Sequence, residues 1–274
     1  MKASIIISTY NSPDWLRKVL WGYSVQTEKD FEIVIADDGS TSETSDLLDQ
    51  MRSETQLNII HIWQEDDGFQ KSQILNKALE YCNSEYIIMS DGDCIPRKDF
   101  LKIHLQQKSK GYFLSGGYFK LPLSISNLIT ESDIKNQNCF DLKWLKKNGL
   151  KLSLKNIKLR SSGLIEKILN DFTTTNASWN GHNASGWKED ILAVNGFDER
   201  MQYGGQDREL GERLFNYGIN SKQIRYSAIC MHLDHPRGYK TQNSLNKNFE
   251  IRKSTIKNNK KWTDFGIKKN MKIK

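Results

Sequence analysis

Cysteine, proline and long apolar runs are all scarce in this chain, and each scarcity excludes a class of protein. The four cysteines, Cys82, Cys94, Cys139 and Cys230, are scattered, with no Cys-x-x-Cys pair. That spacing supports neither a disulfide framework nor a cysteine zinc site, so reduced thiols are expected. Only four prolines and 18 glycines stand among 274 residues, beside 37% hydrophobic and 27% charged residues. This excludes collagen-like and disordered chains. No apolar run approaches the roughly 18 residues of a membrane span. Near the start only Ile5-Ile6-Ile7 is continuously apolar before polar Ser8-Thr9-Tyr10-Asn11. A secretory signal needs about 7–15 such residues. A cytoplasmic chain is expected.

What is plentiful is positive charge. Forty Lys and Arg against 33 Asp and Glu leave a net +7. Such an excess suits phosphate-bearing substrates, an anionic membrane surface or nucleic acid. The excess is local. Residues 143–160 hold Lys143, Lys146, Lys147, Lys151, Lys155, Lys158 and Arg160 with no acid, interleaved with leucines such as Leu152. From residue 240 onward 11 Lys or Arg face only Glu250 and Asp264. The remainder is therefore acidic overall. Both segments read either as solvated helix faces or as contacts with the inner membrane face or with acceptor phosphates.

The first ninety residues alternate strand and helix signals. Strands are expected at Ser4–Ser8, Phe31–Ala36, Leu57–Trp63 and Tyr86–Met89, and a later one at Tyr226–Cys230. Helices are expected after Ser12-Pro13, through Leu47, Leu48 and Met51, and from Phe69 to Tyr81, with Ser12 and Ser40 or Thr41 as caps. Such alternation implies a mostly parallel central sheet flanked by helices, an α/β fold whose ligands bind beyond the carboxyl ends of the strands. Ser8-Thr9-Tyr10-Asn11, Asp37-Asp38-Gly39 and Asp91-Gly92-Asp93 all fall at such ends and should converge on one crevice.

Four clusters carry chemistry. Asp91 and Asp93, two apart at a strand end, can share a divalent cation, or form an ordinary turn. Asp38 can accept hydrogen bonds from a nucleoside, or belong to a turn that caps the next helix. Gly204-Gly205-Gln206-Asp207 places a carboxylate at a helix start, where it caps the helix or serves as a general base. His232 and His235 follow the late strand and can complete a metal site; His61, His104 and His182 have no such context.

In order and spacing these motifs resemble a family 2 glycosyltransferase of the GT-A type over residues 3–240. Asn195-Gly196-Phe197-Asp198-Glu199 and Gly204-Gly205-Gln206-Asp207 are similar to the C-terminal motif of galactosyltransferases and chondroitin-type polymerases. The resemblance implies a GT-A domain over 1–240, with a nucleotide-binding half (1–110), an acceptor and catalytic half (111–240), and a basic helical extension (241–274). It implies that Thr9, Tyr10, Asp38, Asp67 and Asp91 bind the nucleotide, and that Asp93 and His232 hold Mn²⁺ or Mg²⁺. Asp207 would be the catalytic base. Gln206 departs from the family's glutamate and leaves the donor sugar open. Asn183 and Trp187 would shape the sugar and acceptor pocket, Trp187 by stacking or else as a core residue.

The implied function is inverting transfer of galactose, N-acetylgalactosamine or N-acetylglucosamine from a UDP-sugar to a glycan or lipid-linked acceptor, in bacterial surface polysaccharide synthesis. Two alternatives stand beside it. A nucleotidyltransferase making the nucleotide-sugar commonly has a Gly- and Lys-rich N-terminal loop, which this sequence lacks. A nucleic-acid-binding protein would suit the charge, but no recognised motif is present and the acidic crevice would repel phosphates, so no nucleic-acid partner is expected.

Overall fold

The computed structural model describes residues 1–151, 153–161, 163–236 and 240–269. Leu152 and the final stretch 270–274 therefore lie outside the described residues. Four parallel strands open the chain: β1 (Ala3–Thr9), β2 (Phe31–Asp37), β3 (Ile59–Trp63) and β4 (Tyr86–Asp91). Between them run helices α1 (Pro13–Ser24), α2 (Ser42–Glu54) and α3 (Lys71–Glu80). The strands are apolar on both faces because both are covered. With a period of two, Ile5, Ile7, Ile33 and Ile35 pack on one face against Leu16, Leu20 and Leu48. Ile6, Val34 and Ala36 pack on the other against Ile74, Leu75, Leu79 and Leu210.

The later chain adds β5 (Cys94–Pro96), α4 (Phe100–Gln107), β6 (Tyr112–Ser115) and β7 (Gly117–Lys120). Short helices α5 (Leu123–Leu128), α6 (Glu131–Lys135) and α7 (Leu142–Lys147) follow, then α8 (Gly163–Asp171). The chain continues through β8 (Asn183–Trp187), α9 (Lys188–Ala193), α10 (Gln206–Tyr217), β9 (Asn220–Gln223), β10 (Ile229–His232) and α11 (Gln242–Lys257). The central sheet has the order β3-β2-β1-β4-β8-β6-β9, in which β8 runs antiparallel to both its neighbours. The expected mostly parallel sheet flanked by helices is present. Both halves of the chain contribute strands to it.

A second sheet, β5-β10-β7, is a departure from the one-sheet expectation. It forms because β6 and β7 are separated only by Gly116, where a side chain would collide with the Asn183 amide, 2.0 Å away. The late strand is also displaced: it spans Ile229–His232, so His232 ends a strand instead of following one. The expected side-chain caps differ too. Neither Ser12 nor Thr41 caps its helix with its hydroxyl. Instead the Asn11 amide donates to Ser40 Oγ (2.9 Å) and the Thr41 amide donates to Asn11 Oδ1 (2.9 Å). This clamps together the loops leaving β1 and β2.

The segment from residue 241 is no loose extension. Asn248 donates to the carbonyls of Gln202, Tyr203 and Gly204, and Arg252 pairs with Glu212 on α10. Beyond the helix, Thr263 bonds Asp198, and Asn195 bonds the Thr263 and Lys268 carbonyls. Among the described residues no helix is long and apolar enough to cross a membrane.

Candidate active site

A crevice of about 1800 Å³ opens at the carboxyl end of β4, with walls that include Lys71, Asp91, Asp93, His182, Asp207 and His232. Ser8-Thr9-Tyr10-Asn11 and Asp37-Asp38-Gly39, expected to converge there, are not among its described lining residues. Residues far apart in sequence meet there because parallel strands place every strand end on one side.

At its centre Asp91 accepts hydrogen bonds from Ser8 Oγ (2.8 Å) and Lys71 Nζ (2.6 Å). Burial alone would raise the Asp91 carboxyl, but the Lys71 charge outweighs it and brings the pKa down to about 2. Burial likewise opposes the Lys71 ammonium, and Asp91, Asp207 and Asp93 together raise it. Lys71 is a site residue that sequence reasoning missed. Its signal was its place at the first turn of α3, directly after the loop Glu65–Phe69.

His182 was missed as well. The register pairs Ser90 with Asn183 across β4 and β8, which brings His182 beside Asp91. Burial lowers the His182 pKa, against the charges of Asp91 and Asp207, and so favours a neutral imidazole. Tyr118, on β7, packs its ring edge-on against His182 (4.8 Å between centroids) and tilted against His232 (5.2 Å).

Asp93 faces two histidines: His235 Nε2 lies 2.9 Å and His232 Nε2 3.5 Å from Asp93 Oδ2. Ligand atoms of Asp93, Cys94 and His232 fall within 4.8 Å of one another. Among the described residues, the group close enough to share an ion is thus one carboxylate, one imidazole and one thiol, with His235 beside Asp93. The carboxylate and imidazole suit a divalent first-row cation. Cys94 is a weaker candidate. Burial, with Cys230 and Asp93 nearby, pushes its thiol up, and the Sγ–H donates to Asp93 Oδ1 (3.2 Å).

Thr9, Tyr10 and Asp38, expected to bind the nucleotide, stand at the ends of β1 and β2. Asp38 accepts from Gln64 Nε2 (2.6 Å) and the Gln70 amide (2.9 Å), and burial pushes its pKa up to about 6. Thr9 Oγ1 is buried with no hydrogen-bond partner among the described residues, which is a reserved donor or acceptor. Tyr10 is exposed and donates to Asp66 Oδ2 (2.8 Å). Asp66 and the expected Asp67 are both exposed on this loop, and the Tyr10 hydroxyl bonds Asp66. A side-chain carbon at Gly39, where φ is +97°, would strike the Asp66 backbone.

Asp207 sits in the first turn of α10, and its Oδ2 accepts the Gly181 amide (3.0 Å) and its Oδ1 the Arg208 amide (2.9 Å). Two backbone donors thus fix the carboxylate's direction. A side-chain carbon at Gly181 would lie 3.7 Å from both Asp207 Oδ2 and Lys71 Nζ, so the three groups converge. Gln206 also lines the crevice, while its own Oε1 accepts the Gly204 amide (3.1 Å).

Two expected sugar-pocket residues lie elsewhere. Asn183 is fully buried, donates to the carbonyls of Gly117 and Ala228, and accepts from His104. It joins the two sheets. Trp187 pairs with Tyr86 at the start of β4, the opposite end from Asp91. Its Nε1 donates to the Ser109 carbonyl and Lys110 covers its ring. His104, buried with its pKa lowered to about 3 by desolvation, is a core histidine.

Residues 4–119 match the family model described as Glycosyl transferase family 2. The chain is 24% identical to the uncharacterized glycosyltransferase YfnE of Bacillus subtilis, over 90% of this chain and 69% of that protein. It is also 24% identical to chondroitin synthase of Escherichia coli, over 90% of this chain but 37% of the synthase. The fold is similar to that of Staphylococcus aureus TarS 1–349 in complex with UDP-GlcNAc, with a TM-score of 0.60 and 16% identity over 92% of this chain and 64% of that one. It is similar too to the mannosyltransferase PcManGT of Pyrobaculum calidifontis in complex with GDP-Man and Mn²⁺, with a TM-score of 0.59 and 17% identity over 93% and 61% of the two chains. YfnE apart, the chain spans less than two thirds of each of these proteins. The structural likeness establishes the expected GT-A fold.

Proposed function

Because residues 4–119 match the model of the family 2 glycosyltransferases, we propose that this chain transfers a sugar from a UDP-sugar to a hydroxyl of a glycan or lipid-linked acceptor, with inversion. Galactose, N-acetylgalactosamine and N-acetylglucosamine are the candidate sugars, and bacterial surface polysaccharide is the candidate product. One observation carries the reading: Asp91, Asp93, His232 and Asp207 line a single crevice. The nucleotide-sugars bound in the TarS and PcManGT structures support a donor of this class, and the Mn²⁺ in the latter supports a divalent cation.

In this reading Thr9, Tyr10 and Asp38 hold the nucleoside, and Asp91 meets the ribose. Asp93, His232 and His235 would hold the cation, Mn²⁺ or Mg²⁺, which supplies positive charge against the diphosphate and the departing UDP. Lys71 sets the direction of Asp91 and adds a second positive charge beside it. Tyr118, Phe69 and Tyr203 offer ring faces and edges for the sugar, in place of Trp187.

Asp207 takes the proton of the acceptor hydroxyl as that oxygen bonds to the anomeric carbon. The bond to UDP breaks on the opposite face, and its electron pair leaves on the phosphate oxygen. Such base catalysis contributes about 10²–10⁴-fold.

The experiment is a panel of UDP-sugars offered with candidate acceptors, read by UDP release. Wild type should release UDP with at least one donor, and Asp207→Asn should be slower by about 10²–10⁴-fold with UDP affinity retained. Pyrophosphate release would instead identify a nucleotidyltransferase, and near-native turnover of Asp207→Asn would remove Asp207 as the base.

A further inference from the structure

Residues 154–161 and 163–172 are folded inside out. In the 3-10 turn Leu154–Leu159, Asn156 is the buried residue, while Leu154 is 95% exposed and Ile157 is exposed. In α8, Asn170 is buried, donating to Ser227 Oγ (2.7 Å) and accepting the Tyr226 amide (2.9 Å). The aliphatic side of that helix faces solvent: Leu164 is 74% exposed, Ile165 and Ile168 are exposed, and Phe172 just beyond is 81% exposed. Leu164, Ile168 and Phe172 stand four apart, so they form one stripe. Solvated helices normally present the reverse pattern, and a clustered apolar surface of this kind marks an interaction site.

The sequence around the stripe is basic: over residues 151–172, Lys151, Lys155, Lys158, Arg160 and Lys167 stand against only Glu166 and Asp171. Exposed apolar residues within a basic segment match an anionic bilayer, whose acyl region takes the former and whose headgroups take the latter. A second copy is a poorer occupant, because a two-fold interface would set the same cations against each other. The place is also apt: Lys151, Lys155 and Lys158 line the crevice that holds Asp93 and Asp207.

We propose that residues 154–161 and 163–172 dock this protein on an anionic lipid bilayer, with Leu164, Ile168 and Phe172 as the inserted residues and the crevice opening beside the membrane. The docking stands apart from the chemistry of the crevice, so its test does not depend on turnover.

The full chain would be sedimented with phosphatidylcholine vesicles, with and without phosphatidylglycerol, beside a Leu164→Ser/Ile168→Ser/Phe172→Ser variant. None of the three residues lines the crevice, and their exposure leaves the fold intact. A circular dichroism melt and sedimentation velocity accompany both proteins. Wild type should bind the phosphatidylglycerol vesicles in preference, and the variant should bind at least about tenfold more weakly with an unchanged melt. Equal binding by the variant, or no binding by wild type, overturns the proposal. So does a wild-type dimer that the variant dissolves, with no vesicle binding by either.

Discussion

Asp38 tests whether the loop at the end of β2 is built as described. Its carboxyl ionises near pH 4 when unfolded, but burial pushes its pKa up to about 6 in the folded chain. Between those values the folded state binds more protons, so stability falls as pH rises through that window and the full cost is present above it. Asp38→Asn removes the cost. Its Oδ1 can accept the Gln70 amide and its Nδ2 can donate to Gln64 Oε1, which is buried without a partner among the described residues. The variant should therefore be more stable than wild type at pH 8, by on the order of 1–2 kcal/mol. The advantage should vanish near pH 4. A difference in melting temperature independent of pH would contradict the assignment. That Asp91, Asp93 and Asp207 would line one crevice was legible because polar residues at strand and helix ends converge in an α/β fold. Asn183 and Trp187 misled, since a Gly-rich stretch looks the same whether it faces a pocket or crosses a sheet. His182 and Lys71 were hidden because only the β4–β8 register and the start of α3 bring them to Asp91.

Among the elements, α11 does most to revise the sequence reading. Its basic residues suggested an appendage, yet Leu245 and Arg252 pack over the Gly204–Gly205 turn that starts α10. Asn248 ties that turn through three carbonyls. Composition reports the solvated face of a helix and is silent on the buried one, so Ser244, Asn248 and Thr255 gave no signal. The Asn195–Glu199 motif shows the same limit. It reads as an acidic cluster near the site, but Asn195 and Asp198 anchor the chain near Thr263, and Glu199 accepts from Asn76. Asn248→Leu strands the Gln202, Tyr203 and Gly204 carbonyls and should cost about 1–3 kcal/mol or more. By loosening the turn it should lower turnover while UDP affinity holds, because the residues proposed to hold the nucleoside, Thr9, Tyr10 and Asp38, stand at the ends of β1 and β2. A melt and a turnover rate matching wild type would show that α11 does not support Asp207.

At the scale of the molecule, part of the basic charge reaches the crevice, where Lys151, Lys155 and Lys158 line the walls together with Asp91, Asp93 and Asp207. The cations gather along 143–160 and from residue 240, and the crevice centre holds Asp91, Asp93 and Asp207 around Lys71. A diphosphate approaching those carboxylates is repelled unless a cation accompanies it. Nucleotide binding and metal binding should thus be one event, and this coupling is the central claim. It is read most directly by calorimetric titration of UDP into the protein with Mn²⁺ and again with EDTA. Binding with Mn²⁺ that weakens at least about tenfold in EDTA is the predicted result, with Asp93→Ala behaving in Mn²⁺ as wild type does in EDTA. Equal affinity in both conditions, or no binding in either, would contradict the account.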